Sequence, residues 1–454
     1  MALLALDIND SEITLLGGDG VLYAEPGIAL IDNESLTTGA AAMKWARVRP
    51  RQVQDRYWSE LGVAALPDRR FRHLSAADLV SRQLEELWQA GGGNGHVVVA
   101  VPPYHDSGQL GLLLGICADL EIPVAGLVDA AVAATRREYR DAEPVHVDIS
   151  LYATHLTRLA QPGRAQVERS EIVADAGVNA LYNAWIRTVA ETFVRQSRFD
   201  PLHTAETEQM LLDGLPGWLA AAAAAEVIPL SIQYGGLTHE AEIESLSLVA
   251  AAAPVYQRIV AQLRALCRAD ETPALQLTDR VARLPGLADM LKARVGGELF
   301  LLERGATARG LIGRCRDLEP GAGQIALLRQ LPWDQAAIDV RVEARADAGG
   351  RPTHLLLDNH AWAIDGRPLN LGTQPSDDER WVPLDQSMPG VSRKHCSVEL
   401  DNGQCVLRDY SRYGTFLNGH RLEGSAVLQA GDSLRVGTPG FELRLITVEQ
   451  NDGA

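Results

Sequence analysis

One change of pattern constrains this chain more than any other feature, and it falls between Arg316 and Arg351. Upstream, short apolar runs alternate with Ala/Leu-rich stretches of helical length, which predicts an α/β architecture with largely buried sheets. Downstream, brief β-type runs are punctuated by Gly, Asn, Asp and Pro, the pattern of an all-β module. At 454 residues the chain exceeds one ordinary core of roughly 100–200 residues, so the change reads as a domain boundary. The expected division is 1–315 for the body, 316–351 for a linker, 352–448 for the β module and 449–454 for a tail. Within the linker, Gly323–Trp333 and Asp339–Arg345 are candidate extra strands, and Ala346–Pro352 reads as a turn.

Charge narrows the partners. The chain carries a formal −17 with no Lys/Arg block, so neither nucleic acid nor an anionic lipid surface is expected. No uninterrupted apolar run reaches the ~18–20 residues of a membrane span. The opening MALLALDINDSE lacks a basic region and meets Asp7 too early for a signal peptide. Five scattered cysteines form no C-x-x-C pair, and the histidines show no H-E-x-x-H spacing. A cytoplasmic protein with free thiols and no metal is expected.

Within the body, Leu3–Ile8 and Glu12–Leu16 read as strands with a turn at Gly17–Gly20. Helices are expected at Gln52–Leu61, at Ala76–Gln89 behind a Ser75 N-cap, at Ser107–Leu120 and at Ala130–Arg140. Strands are expected at His96–Val101, Val124–Leu127 and Val145–Tyr152, the last leading into Thr154–Ala160. Further helices are expected at Gly177–Arg195, Ala205–Leu212 and Ala250–Arg268, and the Ala220–Ala225 run is a strong helix former.

The segment His96–Tyr139, with Val101-Pro102-Pro103 before a helix and Val128–Ala133 opening another, resembles the actin and DnaK-type chaperone ATPase superfamily. Leu275–Met290 resembles that family's adenosine loop, and Glu303–Ala308 the run after it. The resemblance spans roughly 1–315 and implies a two-lobed α/β fold with ATP and Mg²⁺ between the lobes. In that family glycine-rich loops wrap the phosphates, because only glycine lets backbone N–H groups close in without a Cβ. Here the first loop is Asp7-Ile8-Asn9-Asp10-Ser11, in which the glycine is lost and Asp10 brings charge toward a phosphate position. The second is Asp148-Ile149-Ser150-Leu151-Tyr152-Ala153, with Leu151 and Tyr152 bulky enough to fill the site. The third is Thr278-Asp279-Arg280, whose side chains would collide with a nucleoside. Asp7, Asp10, Asp148 and Asp279 are therefore read as a vestigial nucleotide site, with Asp7 and Asp148 ending strands and capping turns. Lys44 reads as a surface lysine.

The C-terminal blocks VSRKHCSV (Val391–Val398), LRDYSRYGTFLNG (Leu407–Gly419) and LQAGDSLRVG (Leu428–Gly437) resemble the forkhead-associated (FHA) family. That resemblance implies a β-sandwich whose end loops recognise phosphothreonine. It places Ser392 and Arg393 at the phosphate, His395 as a structural prop, and Gly414, Thr415, Asn418 and Gly419 in the second loop and its following turn. Two positions depart. Thr373 stands where the phosphate-gripping arginine follows a glycine, and Tyr413 stands where an asparagine fixes the peptide. Arg412 and Lys394 are candidate substitutes for the lost charge. The expected function is a scaffold or adaptor: a non-hydrolysing ATPase-like body whose module binds a protein partner, phosphorylated on threonine or not. The alternative is an active chaperone- or actin-like ATPase targeted by its FHA domain, with ATP and Mg²⁺ as cofactors.

Overall fold

The computed structural model describes residues 2–334, apart from 19, 33–34, 269–270, 317 and 319–324. It also describes 351–446, apart from 358–359, 377–378, 385–390, 402, 413, 418–419, 423, 430–431 and 438–440. The chain divides into two compact units, Met1–Ala336 and Ala337–Ala454.

The first unit is built twice on one plan. Strands β1 (Leu3–Asp7), β2 (Ile13–Gly17) and β3 (Gly20–Glu25) form an antiparallel meander. Strands β4 (His96–Val101) and β5 (Val124–Asp129) then add in parallel beside β1, giving the order β5-β4-β1-β2-β3. The second sheet repeats this with β6 (Glu143–Ile149), β7 (Ala153–Ala160) and β8 (Arg164–Ala174) as the meander. Strands β9 (Pro273–Leu277) and β10 (Glu298–Leu301) add in parallel, giving β10-β9-β6-β7-β8. Strands such as HVVVAV in β4 and PALQL in β9 are nearly continuous buried apolar runs, as sheets covered on both faces require.

The stretch read as linker belongs partly to this unit. Strand β11 (Leu327–Leu328) pairs with β5, and β12 (Gln330–Pro332) pairs with β8, so each sheet gains one strand. Asp339–Arg345 lies outside the described residues.

Several helices form where the patterning places them. Ala76–Ala90 starts on a capping box between Ser75 and Asp78. Ser107–Asp119, Val178–Ser197 and Ala205–Ala222 follow, the last ending within the alanine run. Ser245–Leu266 is long and apolar enough by composition to cross a membrane, yet Leu248, Ala252, Tyr256, Ile259 and Leu263 pack in the body's core.

Two local expectations are corrected, and one element was not foreseen. Gln52–Leu61 is not helical: Val53–Gln54 joins a small sheet with Ala29–Asp32, and Tyr57 and Trp58 are buried with both polar tips donating to Gln83. Tertiary burial of two aromatics overrides a weak helical pattern there. The helix after β5 stops at Ala134 instead of Arg140, because the Arg314 guanidinium takes the carbonyls of Val132, Ala133 and Thr135. A hairpin at Val227–Tyr234 and Leu237–Glu244 was unexpected, though the alternation in VIPLSIQY and the Gly235-Gly236 turn, both at positive φ, are signals for one.

The second unit is a two-sheet sandwich. One sheet orders His360–Ala363, His354–Leu357, Phe441–Ile446, Ser433–Val436, Thr415–Leu417 and His420–Arg421. The other orders Arg380–Pro383, Leu369–Gly372, Cys396–Asp401, Gln404–Asp409 and Ser425–Leu428. Alternate residues of both, including Leu355, Leu371, Val398, Leu407, Leu434 and Leu443, fill the space between them.

Candidate functional sites

In the first unit the repeated plan brings three turns together. Asp7 closes β1 and Asp148 is the penultimate residue of β6; each precedes the turn into the next strand of its meander. Arg280 follows β9, and its guanidinium lies between them. Nη2 donates to Asp7 Oδ2 at 3.0 Å and to Asp148 Oδ2 at 3.1 Å, and Nε donates to Asp148 Oδ1 at 3.1 Å. Nη1 donates to the Glu12 carbonyl at 3.2 Å. Thr278 Oγ1 donates to Asp148 Oδ1 at 2.7 Å, and Asn9 Nδ2 donates to Asp148 Oδ2 at 2.8 Å.

The two turns are also joined directly. The Leu151 N–H donates to Asp10 Oδ1 at 2.7 Å, while Asn9 Nδ2 and Ser11 Oγ both donate to the Ile149 carbonyl. The helix Val178–Ser197 spends its first N–H groups on the Ser150 and Leu151 carbonyls. Gly177 permits that approach, since a Cβ there would meet Leu151 and Ala153 backbone atoms at 2.5 Å.

Burial decides the charge states. It lifts Asp7 to about 6 against the opposing pull of Arg280. Burial likewise lifts Asp10 to about 7, because one N–H bond cannot replace its water and its Oδ2 has no hydrogen-bond partner. Burial pushes Asp148 upward too, but Arg280 above all, with His146, Thr278 and Asn9 around it, holds it well below the ordinary carboxylate range. Burial keeps His146 and His155 neutral, both lowered to about 4.

These residues do not fit ATP and Mg²⁺. A guanidinium occupies the position between the two carboxylates that a cation would need, and a carboxylate takes the Leu151 N–H that a phosphate would need. The cavity lined by Asp7, Asp279, Arg280 and Thr307 measures about 10 Å³, room for roughly one water. Leu151 and Tyr152 do not fill this place. Leu151 packs with Ile28, Leu30 and Ala42, and Arg56 stacks on Tyr152 at 3.5 Å. Asp279 pairs with Arg283 at 2.9 Å. Arg280's bridging role was missed from sequence; the available signal was a basic residue replacing glycine in a loop set otherwise rich in carboxylates.

In the second unit the loops at one end of the sandwich are ordered around His395, which is fully buried. Its Nδ1 accepts the Ser392 N–H at 3.0 Å, so the proton sits on Nε2, which donates to the Gly414 carbonyl at 3.2 Å. Burial first, against the Gly414 carbonyl, lowers its pKa and keeps the ring neutral. One imidazole thereby ties the Ser392 loop to the Gly414 loop. Thr415 Oγ1 and the Ser411 N–H both donate to Asp409 Oδ1, and the Arg412 N–H donates to Ser392 Oγ at 3.4 Å. Gly372 lies against the same loop, where a Cβ would come within 2.1 Å of the Arg393 carbonyl. Residues 371–437 match the FHA domain. The FHA domain suggests phosphothreonine-dependent protein binding. A comparison of the whole chain with curated proteins found no match.

Within the FHA domain the residues read from sequence fall on converging loops. Ser392 is half-buried, and Arg393, Lys394 and Arg412 are exposed. Lys394 lies over the Tyr410 ring at 5.5 Å and 3.9 Å from Glu379. Thr373 donates its N–H to the Ser392 carbonyl at 3.3 Å, so the position of the departed arginine adjoins the loop. Tyr413, Asn418 and Gly419 lie outside the described residues.

Proposed function

We propose that this chain is a docking scaffold: an actin/DnaK-like body that does not turn over ATP, carrying an FHA module that binds a protein partner phosphorylated on threonine. The observation that carries the reading is the Arg280 guanidinium bridging Asp7 and Asp148 across the two sheets. The likeness of the body to that superfamily is supported by its duplicated strand order and by the matching placement of the two aspartates. Arg280 substitutes internally for the metal and nucleotide charge such a cleft would hold, so the two halves are joined without ligand. On the FHA side, Ser392 and Arg393 supply phosphate donors, and the Arg412 N–H holds Ser392 Oγ in place. With threonine at 373, one charge-assisted contact worth about 1.5–3 kcal/mol is lost, so affinity is modest and is shared with Arg412 or Lys394. A cytoplasmic location suits the five free thiols.

Calorimetry with ATP and Mg²⁺ tests the body: no heat of binding is expected, and a micromolar dissociation constant would restore the active-ATPase reading. Phosphothreonine peptides and their unphosphorylated counterparts, titrated against wild type and Ser392→Ala/Arg393→Ala, test the module. Selective loss for the phosphorylated set is expected, and equal binding of both sets would reject phosphate recognition.

A further inference from the structure

Gly414 has a φ of +95°, a conformation that favours glycine, and a neighbour adds a second reason for glycine there. A Cβ at Gly414 would stand 2.6 Å from Nε of Arg421 and 3.3 Å from its Cγ and Cδ. Sheet register explains the approach. Strand Thr415–Leu417 pairs antiparallel with His420–Arg421, and Phe416 is directly opposite Arg421. Gly414, two residues before Phe416, falls on the same side and diagonal to Arg421. On its other flank Phe416 is opposite Arg435, whose guanidinium lies 4.2 Å from the Phe416 ring. Arg435 thus covers Phe416, while the Arg421 side chain lies over Gly414.

Gly414 belongs to the loops that hold Ser392. Its carbonyl accepts from His395, and the other ring nitrogen of His395 accepts the Ser392 N–H. The Gly414 N–H donates to Ser411 Oγ at 2.7 Å, and the Arg412 N–H donates to Ser392 Oγ. Arg421 is therefore packed on the residue that His395 ties to the Ser392 loop. It is exposed, and it makes no ion pair or hydrogen bond among the described residues. The carboxylate built into these loops does not compete for it, since Asp409 accepts from Thr415 Oγ1 and from the Ser411 N–H. Lys394, by contrast, divides its charge between the Tyr410 ring and Glu379.

We propose that Arg421 grips the phosphate of a phosphothreonine partner, supplying from the strand after the second loop the charge that Thr373 lacks. The inference rests on the FHA reading above and specifies the cation that carries it. A guanidinium offers parallel N–H donors matched to phosphate oxygens, and its exposed Nη groups have no internal acceptor to give up. Packing of Cγ, Cδ and Nε over Gly414 restricts the stem before the partner arrives, so less rotamer freedom is lost on binding.

Fluorescence anisotropy of the full chain tests this with a labelled pool of phosphothreonine peptides, degenerate at the flanking positions, and the same pool unphosphorylated. Arg421→Gln should lose at least ~10-fold for the phosphorylated pool, with the unphosphorylated affinity and the melting temperature unchanged. Adding Thr373→Arg to that variant, which returns a guanidinium beside the Ser392 loop, should recover phosphate-dependent binding. Arg367→Gln should change neither affinity; that exposed residue precedes strand Leu369–Gly372, at the opposite end from Gly372. Unchanged phosphopeptide affinity in Arg421→Gln, while wild type still prefers the phosphorylated pool, would overturn the role of Arg421 alone. Equal losses for both pools, or the same loss in Arg367→Gln, would overturn it as well. Equal binding of the two pools by wild type would overturn phosphate recognition itself.

Discussion

Both units place arginines where two loops converge, and they use them in opposite ways. In the body, Arg280 is nearly inaccessible and its donors are spent on Asp7, Asp148 and the Glu12 carbonyl. In the FHA module, Arg393 and Arg412 stand exposed beside Ser392. A guanidinium removed from water must be matched by carboxylates the fold already owns, because an unmatched buried charge costs several kcal/mol. An exposed guanidinium keeps its hydration and can exchange it for a phosphate. The same residue type is thus spent on internal carboxylates in one unit and left at the surface in the other, and burial makes the difference.

The strongest way to break this contrast is Arg280→Met. It leaves two buried carboxylates facing each other, and a loss of about 3–5 kcal/mol in chemical denaturation is expected. A near-neutral result would mean that the ion pairs are not what joins the two sheets. Asp10→Asn sharpens the same point with the opposite sign. The carboxyl titrates near 7 in the fold and 3.8 when exposed, so its ionisation weakens the fold as pH rises from about 4 to 7. The asparagine keeps an oxygen for the Leu151 N–H and removes the charge, at the expense of an amide lacking a partner. A gain of about 2 kcal/mol at pH 8, vanishing below pH 4, is expected from melts across that range.

On the FHA side, His395→Ala orphans the Ser392 N–H and the Gly414 carbonyl together. A loss of about 1–2 kcal/mol in the module's unfolding transition is expected, with weaker phosphopeptide binding by calorimetry. Ser392→Ala has the smallest expected effect. It should cost about 1 kcal/mol, roughly fivefold, in phosphopeptide affinity without shifting the melting temperature.

Legibility followed the range of the interactions. Residues 371–437 were readable because the FHA signature is local: Ser392 and His395 are three apart, and Gly414-Thr415 marks a turn. The α/β character of the body was readable from buried runs such as His96–Val101. The linker stretch was less so, because Leu327–Leu328 and Gln330–Pro332 are too short to declare which sheets they join. Gln52–Leu61 misled because the helical spacing of its apolar residues says nothing of the Gln83 partner that fixes Tyr57 and Trp58.

The sequence by itself determined that glycine was absent from three loops and that carboxylates stood at Asp7, Asp10, Asp148 and Asp279. It also determined the change of architecture after the body and the turn chemistry of the C-terminal module. Only the tertiary structure decided that Arg280, far along the chain from both partners, would sit between Asp7 and Asp148. The physical reason is one of range. Backbone propensity and apolar periodicity act over a few residues and are written locally, whereas the state of a charge depends on burial and on which distant groups the fold brings within a few ångströms.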